Sequence, residues 1–235
     1  MRTRQYGTIY QLTFLPRAFP INCYLVEEDT ELTLIDAGMP FSKKGILQAI
    51  EKIGKPLTRI VLTHAHGDHV GALDGLKQDL PNVKVYISKR DSLLLAGNKN
   101  SQPGEPQTQI KGDVPKSIKT IPEVLLEDGD RIGSLQAIAT PGHTPGHMAF
   151  IDVRNKALIA GDAMQTRGGI AVSGTVKWMF PFPAMATWHK QSALDSVRKL
   201  STLQPSLLAI GHGNVILNPA KALEQAINEA EKALR

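Results

Sequence analysis

Three histidines and an aspartate fall within six consecutive positions of the stretch LTHAHGDHVG, residues 62 to 71: His64, His66, Asp68 and His69. The chain has only seven histidines, so a single loop takes a large share of them. Imidazole and carboxylate suit zinc, with iron, manganese, cobalt and nickel as competitors, and the single cysteine argues against a structural thiolate site. In an extended segment His64 and His66 point to the same side and can face one metal. After Gly67 the chain can turn into a helix, which presents Asp68 and His69 in a new direction, toward a second. Three further donors stand elsewhere, His143, Asp162 and His212. The seven together are too many for one tetrahedral ion and suit two ions that share a bridging carboxylate.

What must position these residues is legible in the apolar runs before them. RIVLT leads into His64, LQAIATPG into His143, ALIAG into Asp162 and LLAIG into His212. Short apolar runs of this kind read as buried strands of a layered α/β protein, and a rigid sheet holds strand-end side chains in fixed relative positions. The first third reads as strands over Thr8 to Leu12, Cys23 to Glu27 and Glu31 to Ile35, with the acidic EEDT turn between the last two. A helix is predicted from about Ser42, with Ile46, Leu47, Ile50 and Ile53 along one face. Residues 97 to 122, polar and proline-rich, interrupt the alternation as a long functional or mobile loop. Two helices close the chain, the last capped by Asn218, with Pro219 in its first turn and Leu223, Ile227, Ala230 and Leu234 as its buried stripe.

At 42% hydrophobic and 21% charged, the sequence can bury a substantial core, and with no repeat or low-complexity tract it reads as one domain over residues 1–235. The net charge of +5 and pI near 9.3 would admit an anionic partner. The basic residues are scattered as singles and pairs such as Lys43-Lys44 and Arg198-Lys199, which describes a solvated surface and not a nucleic-acid footprint. No secretory signal and no membrane-spanning segment are read, so the expected setting is the cytoplasm, the expected partner a small-molecule substrate, and the expected state a monomer or homodimer. Cys23, in INCYLV, reads as a small buried apolar residue.

THAHGDH, followed by TPGHTPGH at 140 to 147, GD at 161 to 162 and GHG at 211 to 213, resembles the metallo-β-lactamase superfamily, and the resemblance covers residues 22 to 213. It implies a four-layer αββα sandwich with a dinuclear site at one edge of the two sheets. By position, His64, His66 and His143 resemble the ligands of a first metal, Asp68, His69 and His212 those of a second, and Asp162 the bridge. Asp36, in LTLIDAG, is similar to the family's buried aspartate that orients the HxHxDH loop. His147 reads as a supporting group beside the ligands and His189 as an exposed polar residue at the start of a helix capped by Thr187.

The chemistry expected of such a centre is hydrolysis. Two divalent ions roughly 3.5–4 Å apart make hydroxide available at neutral pH, and Asp68 is the candidate for proton transfer. The metals expected are two zinc ions, with iron or manganese as alternatives. The segment VKWMFPFPAMATW, 176 to 188, lies between two ligand strands and supplies Trp178, Phe180 and Phe182 as candidates for an apolar substrate wall or, alternatively, a connector or dimer contact. Together these describe a hydrolase of a small ester, lactone or thioester with an apolar portion, similar to lactonases and glyoxalase II enzymes. Only residues 214 to 235 follow the last motif, too few for the helical domain with which the resemblance equips glyoxalase II. The tyrosine that acyl-homoserine lactonases carry near the site is missing between 163 and 211. A rival from another class is an iron-dependent persulfide dioxygenase on the same scaffold.

Overall fold

The computed structural model describes residues 1–115 and 117–235, and its contacts divide the chain into two compact units. The first comprises residues 1–97 and 114–126, the second 98–113 and 127–235.

The first unit is built on a seven-stranded sheet in sequence order: β1 (Arg2–Tyr6), β2 (Ile9–Phe14), β3 (Ile21–Glu27), β4 (Leu32–Ile35), β5 (Leu57–Val61), β6 (Lys84–Ser88) and β7 (Val124–Leu126). Pairing is antiparallel from β1 to β4 and parallel from β4 to β7. A parallel pair needs a crossover, and α1 (Lys43–Ile53) supplies the one between β4 and β5. It buries Ile46 and Ala49 and stops at Gly54, whose φ of 79° is the left-handed cap glycine adopts readily. Two short helices, α2 (Gly67–Val70) and α3 (Leu73–Asp79), precede β6, and α4 (Lys89–Leu95) follows it. The three expected strands are present within a residue or two. β1 is not among them: its central residues Thr3, Arg4 and Gln5 are polar and exposed, so no apolar alternation announces it.

The second unit has a six-stranded sheet, ordered β15-β14-β11-β10-β9-β8, with β8 (Arg131–Ile132), β9 (Leu135–Ala139), β10 (Met148–Asp152), β11 (Ala157–Ile159), β14 (Leu207–Ala209) and β15 (Ile216–Leu217). A two-stranded ribbon joins β12 (Met164–Gln165) to β13 (Ala171–Val172). The helices are α5 (Phe182–Ala186), α6 (Lys190–Thr202) and α7 (Ala220–Leu234). Leu194, Val197 and Leu200 of α6 and Leu223, Ala226 and Ala230 of α7 join Ile151, Leu158 and Leu208 of the sheet in one apolar cluster.

Two expected caps differ. Pro219, not Asn218, stands at the N-cap of α7, with Asn218 just outside it in a left-handed turn at φ 49°, and Leu234 at the chain end is exposed. α6 is capped by His189 itself, whose ring accepts from the Ser192 N–H at 3.2 Å, while Thr187 turns its hydroxyl to the Pro183 carbonyl. Within residues 97 to 122 the described residues form no regular element, as expected of a loop. Among the described residues no helix is long and apolar enough to cross a membrane.

Candidate metal centre

In the first unit, register decides which residues meet. β4 and β5 run in parallel with Ile35 opposite Val61, so both leave the sheet at the same edge. Asp36 follows with φ 61°, a left-handed conformation that Asp tolerates better than most residues. Its buried carboxylate accepts the Thr63 backbone N–H at 2.8 Å and the Thr63 hydroxyl at 2.8 Å. A hydroxyl has one proton, so the Thr63 oxygen accepts from His64 Nδ1–H at 2.9 Å. His69 Nδ1–H donates directly to Asp36 Oδ2 at 2.7 Å. Both imidazoles are thereby held in the tautomer whose Nε2 carries the lone pair a metal takes, the arrangement by which carboxylates orient metal-binding histidines.

The turn between these histidines is fixed from below. Asp91, fully buried, accepts the Ala65 N–H at 3.3 Å, and its own N–H is held by the Ser88 hydroxyl that caps α4. His66 is the extended residue at the N-cap of α2, and Asp68 and His69 ride on that helix. The His64 ring lies 4.7 Å from that of His66 and 4.1 Å from that of His69. Asp68 is partly exposed, with its carboxylate 3.9 Å from His69 Nε2. Cys23 is buried, and its thiol pKa is pushed well up by burial, with the charges of Asp36 and Asp68 adding to the effect.

In the second unit, β11 and β14 pair in parallel with Ile159 opposite Ala209, and Asp162 and His212 each lie three positions further on. Asp162 Oδ2 stands 3.1 Å from His212 Nε2 and 3.5 Å from His143 Nε2. His143 belongs to the turn between β9 and β10. Gly142 makes that turn possible: its φ is 144° and a Cβ there would lie 2.3 Å from the Ala193 backbone of α6. The hydroxyls of Ser173 and Thr187 donate to the carbonyls of Asp162 and Pro183, which leaves their oxygens to accept from His143 Nδ1, each at 3.4 Å. His143 thus presents Nε2 for the same reason as His64 and His69. His147, fully buried, differs, because its Nε2 accepts the Asp162 N–H at 3.0 Å and its Nδ1 meets the Thr140 hydroxyl at 2.8 Å.

Two sets of donors result: His64, His66, Asp68 and His69 at one sheet edge of the first unit, and His143, Asp162 and His212 at strand ends of the second. Donors bound at about 2.0–2.2 Å to one tetrahedral ion stand roughly 3.3–3.6 Å apart, and the Asp162 contacts with His143 and His212 are close to that spacing. Buried imidazole nitrogens and a carboxylate at such distances, with the far side of three rings committed to hydrogen bonds, fit divalent cations. All seven sequence-derived ligand candidates fall in these two sets, and Asp36 stands behind two of them, His64 and His69.

The supporting hydroxyls of Thr63, Thr140 and Ser173 were not singled out from sequence, nor was Asp91, and Thr187 was read only as a helix cap. Of these only Asp91 carries a local signal, the Ser88-x-x-Asp91 spacing of a helix start. The apolar candidates separate. Phe180 is buried, with its ring 5.4 Å from that of His212 and 5.3 Å from that of Phe182. Trp178 is 92% exposed and Phe182 52% exposed. The segment they share is anchored by Lys177 to Glu229 at 2.6 Å and by Gln165 to the Phe180 carbonyl at 2.9 Å.

The family model described as the metallo-beta-lactamase superfamily matches residues 16–212. The chain is 59% identical over 232 residues to the uncharacterized protein YobT of Bacillus subtilis (strain 168), covering 99% of this chain and 100% of that one. It is 31% identical to the hydroxyacylglutathione hydrolase GloC of Haemophilus influenzae (strain ATCC 51907 / DSM 11121 / KW20 / Rd), over 84% and 87% of the two chains. Among solved structures, the di-iron-bound form of TTHA1623 aligns with TM-score 0.67 at 28% identity, covering 90% of this chain and 96% of that one. The DIM-1 metallo-beta-lactamase exposed to ceftazidime aligns with TM-score 0.73 at 16% identity over 99% and 97%, a likeness of fold alone.

Proposed function

Given that the chain belongs to the metallo-β-lactamase superfamily, we propose that it is a metal-dependent hydrolase of a small ester, lactone or thioester with an apolar portion. In this reading His64, His66 and His143 would hold one divalent ion, Asp68, His69 and His212 would hold a second, and Asp162 would serve both. The observation that carries it is the pair of donor sets, one in each unit, in which hydrogen bonds on the far side of the His64, His69 and His143 rings leave Nε2 for a metal. When bound, two such ions supply water activation at neutral pH and polarisation of the substrate oxygen. The chain's own residues do the rest. Asp36 and Thr63 keep His64 and His69 from swinging or changing tautomer, and Ser173 and Thr187 do so for His143. Asp68, partly open to solvent, holds the proton and returns it to the leaving group. Phe180 backs the His212 ring, and the exposed Trp178 and Phe182 offer apolar surface to the acyl portion. We also propose a cytoplasmic setting and a single functional domain over residues 1–235.

Zinc is the metal this reading prefers, on the donor types; the likeness to a di-iron-bound structure keeps iron beside it. A thioester is favoured among the substrates by one observation. The relative described as a hydroxyacylglutathione hydrolase is 31% identical and is covered over 87% of its length. The test is the initial rate of the zinc-loaded protein on S-lactoylglutathione and on an acyl-homoserine lactone, with Asp162→Ala as the blank. Faster thioester cleavage supports the glutathione reading, and faster lactone opening assigns the apolar segment to an acyl chain. Neither rate exceeding the blank, with oxygen uptake on glutathione persulfide by the iron-loaded protein, would replace hydrolysis by dioxygenase chemistry.

A further inference from the structure

We infer that His147 is a positioning residue: it holds the peptide of Asp162 so that the carboxylate can serve two cations at once, and it binds no metal itself. This rests on the proposed dinuclear reading. Asp162 sits in a short turn with φ −98° and ψ 19°, a sparsely occupied region, directly after Gly161 at φ 48°. Its peptide is held on both sides by side chains. The Asp162 N–H donates to His147 Nε2 at 3.0 Å, and the Asp162 carbonyl accepts the Ser173 hydroxyl.

A backbone N–H can only donate, so His147 Nε2 is the acceptor and its ring proton lies on Nδ1, directed at the Thr140 hydroxyl 2.8 Å away. The Thr140 N–H in turn donates to the His147 carbonyl at 2.9 Å, which closes the turn that carries His143. One buried imidazole therefore ties the strand-end turn of one ligand to the backbone of another. The same contact sets apart the second of the two histidines in TPGHTPGH: its Nε2 is already engaged. A carboxylate that would serve two ions tolerates little rotation, and supporting partners of ligands are typically worth about 10- to 100-fold in metal affinity.

The experiment is a Zn2+ titration of chelator-stripped protein against a metallochromic dye, on wild type, His147→Leu and His147→Gln, with circular dichroism of each metal-free protein. Leu fills comparable volume but cannot accept, whereas the Gln carbonyl oxygen can take the place of Nε2. We expect wild type to bind two ions, folded His147→Leu to bind at least one of them about 10- to 100-fold more weakly, and His147→Gln to recover most of the loss. A merely structural role would lower the melting temperature of the metal-free protein and leave the isotherm of the folded variant as in wild type, and that result overturns the inference. Equal loss in both variants also overturns it, since packing and not the acceptor would then be what matters. Should His147→Leu not fold, Thr140→Val decides: severalfold weaker uptake supports the role, and an unchanged isotherm refutes it. A wild type that takes up no Zn2+ defeats the dinuclear reading and this one with it. Two tightly bound ions without ester or thioester cleavage would defeat the hydrolase reading and leave the inference standing.

Discussion

A single carboxylate, Asp36, fixes two imidazoles, one directly and one through a hydroxyl. Asp36→Asn keeps the size but replaces one acceptor oxygen by a donor, which opposes the N–H of His69. Metal affinity should fall about 10- to 100-fold while the far-ultraviolet spectrum of the metal-free protein is retained; a Zn2+ isotherm indistinguishable from wild type would show that the hub is dispensable. Cys23 offers a second check. Burial and the neighbouring charges of Asp36 and Asp68 raise its thiol pKa, so thiolate is scarce near neutral pH. The folded protein should resist a thiol-specific disulfide reagent at pH 8 and react with one equivalent after denaturation. The ligand candidates were legible because histidine is rare and was clustered. Thr140, Ser173 and Thr187 were not, because hydroxyl residues are common and these act on partners far along the chain, as Thr187 does on His143.

At the scale of elements, parallel pairing does the placing. Ile35 opposite Val61 in the first unit and Ile159 opposite Ala209 in the second each bring two strand ends to one edge of their own sheet, and the ligands lie at equal offsets beyond the second pair. The apolar runs before His64, His143, Asp162 and His212 made these strands readable, since a buried strand has little choice of composition. Helix starts were less readable. His189 caps α6 with a ring nitrogen, a role for which sequence patterns favour small hydroxyl or carboxylate residues such as Thr187. Gly142 allows the His143 turn to lie against α6, so Gly142→Ala should lower the melting temperature sharply, through a Cβ 2.3 Å from helix backbone and an unfavourable φ. The tie between α3 and the chain before β7 predicts a pH signature. Burial alone would raise the Asp74 pKa, but the Thr120 hydroxyl and the N–H groups of Lys119 and Thr120 outweigh it and hold the carboxyl below its usual range. A depressed carboxyl contributes stability that is present above its unfolded pKa, near 4, and is lost as the pH falls through the lower folded value. Asp74→Asn should therefore cost about 1 kcal/mol at pH 7, discounted for partial exposure, with the difference from wild type narrowing below about pH 4. A constant difference across that range in denaturant titrations would contradict the assignment.

For the molecule as a whole, family membership makes metal-dependent hydrolysis the expected chemistry, and the choice of substrate falls to the loops. Residues 97 to 122 and 176 to 188 were marked in the sequence only by composition, and their conformations followed from contacts that composition does not encode. Trp188 is an example: its indole N–H donates to the Thr108 carbonyl at 3.1 Å, and its backbone N–H to the His143 carbonyl at 3.0 Å, so one residue links the long loop to a ligand turn. In the 176 to 188 segment the buried and exposed aromatics should respond differently. Trp178→Ala and Phe182→Ala should raise KM for apolar substrates with kcat nearly unchanged, whereas Phe180→Ala, which removes the ring against His212, should lower kcat. The most direct test of the account is to strip the protein of metal with a chelator and restore Zn2+ in steps of half an equivalent, following thioester and lactone hydrolysis at each step. The account predicts negligible activity without metal, a rise that saturates at two equivalents per chain, and no recovery in Asp162→Ala. Undiminished hydrolysis by the metal-free protein would contradict it.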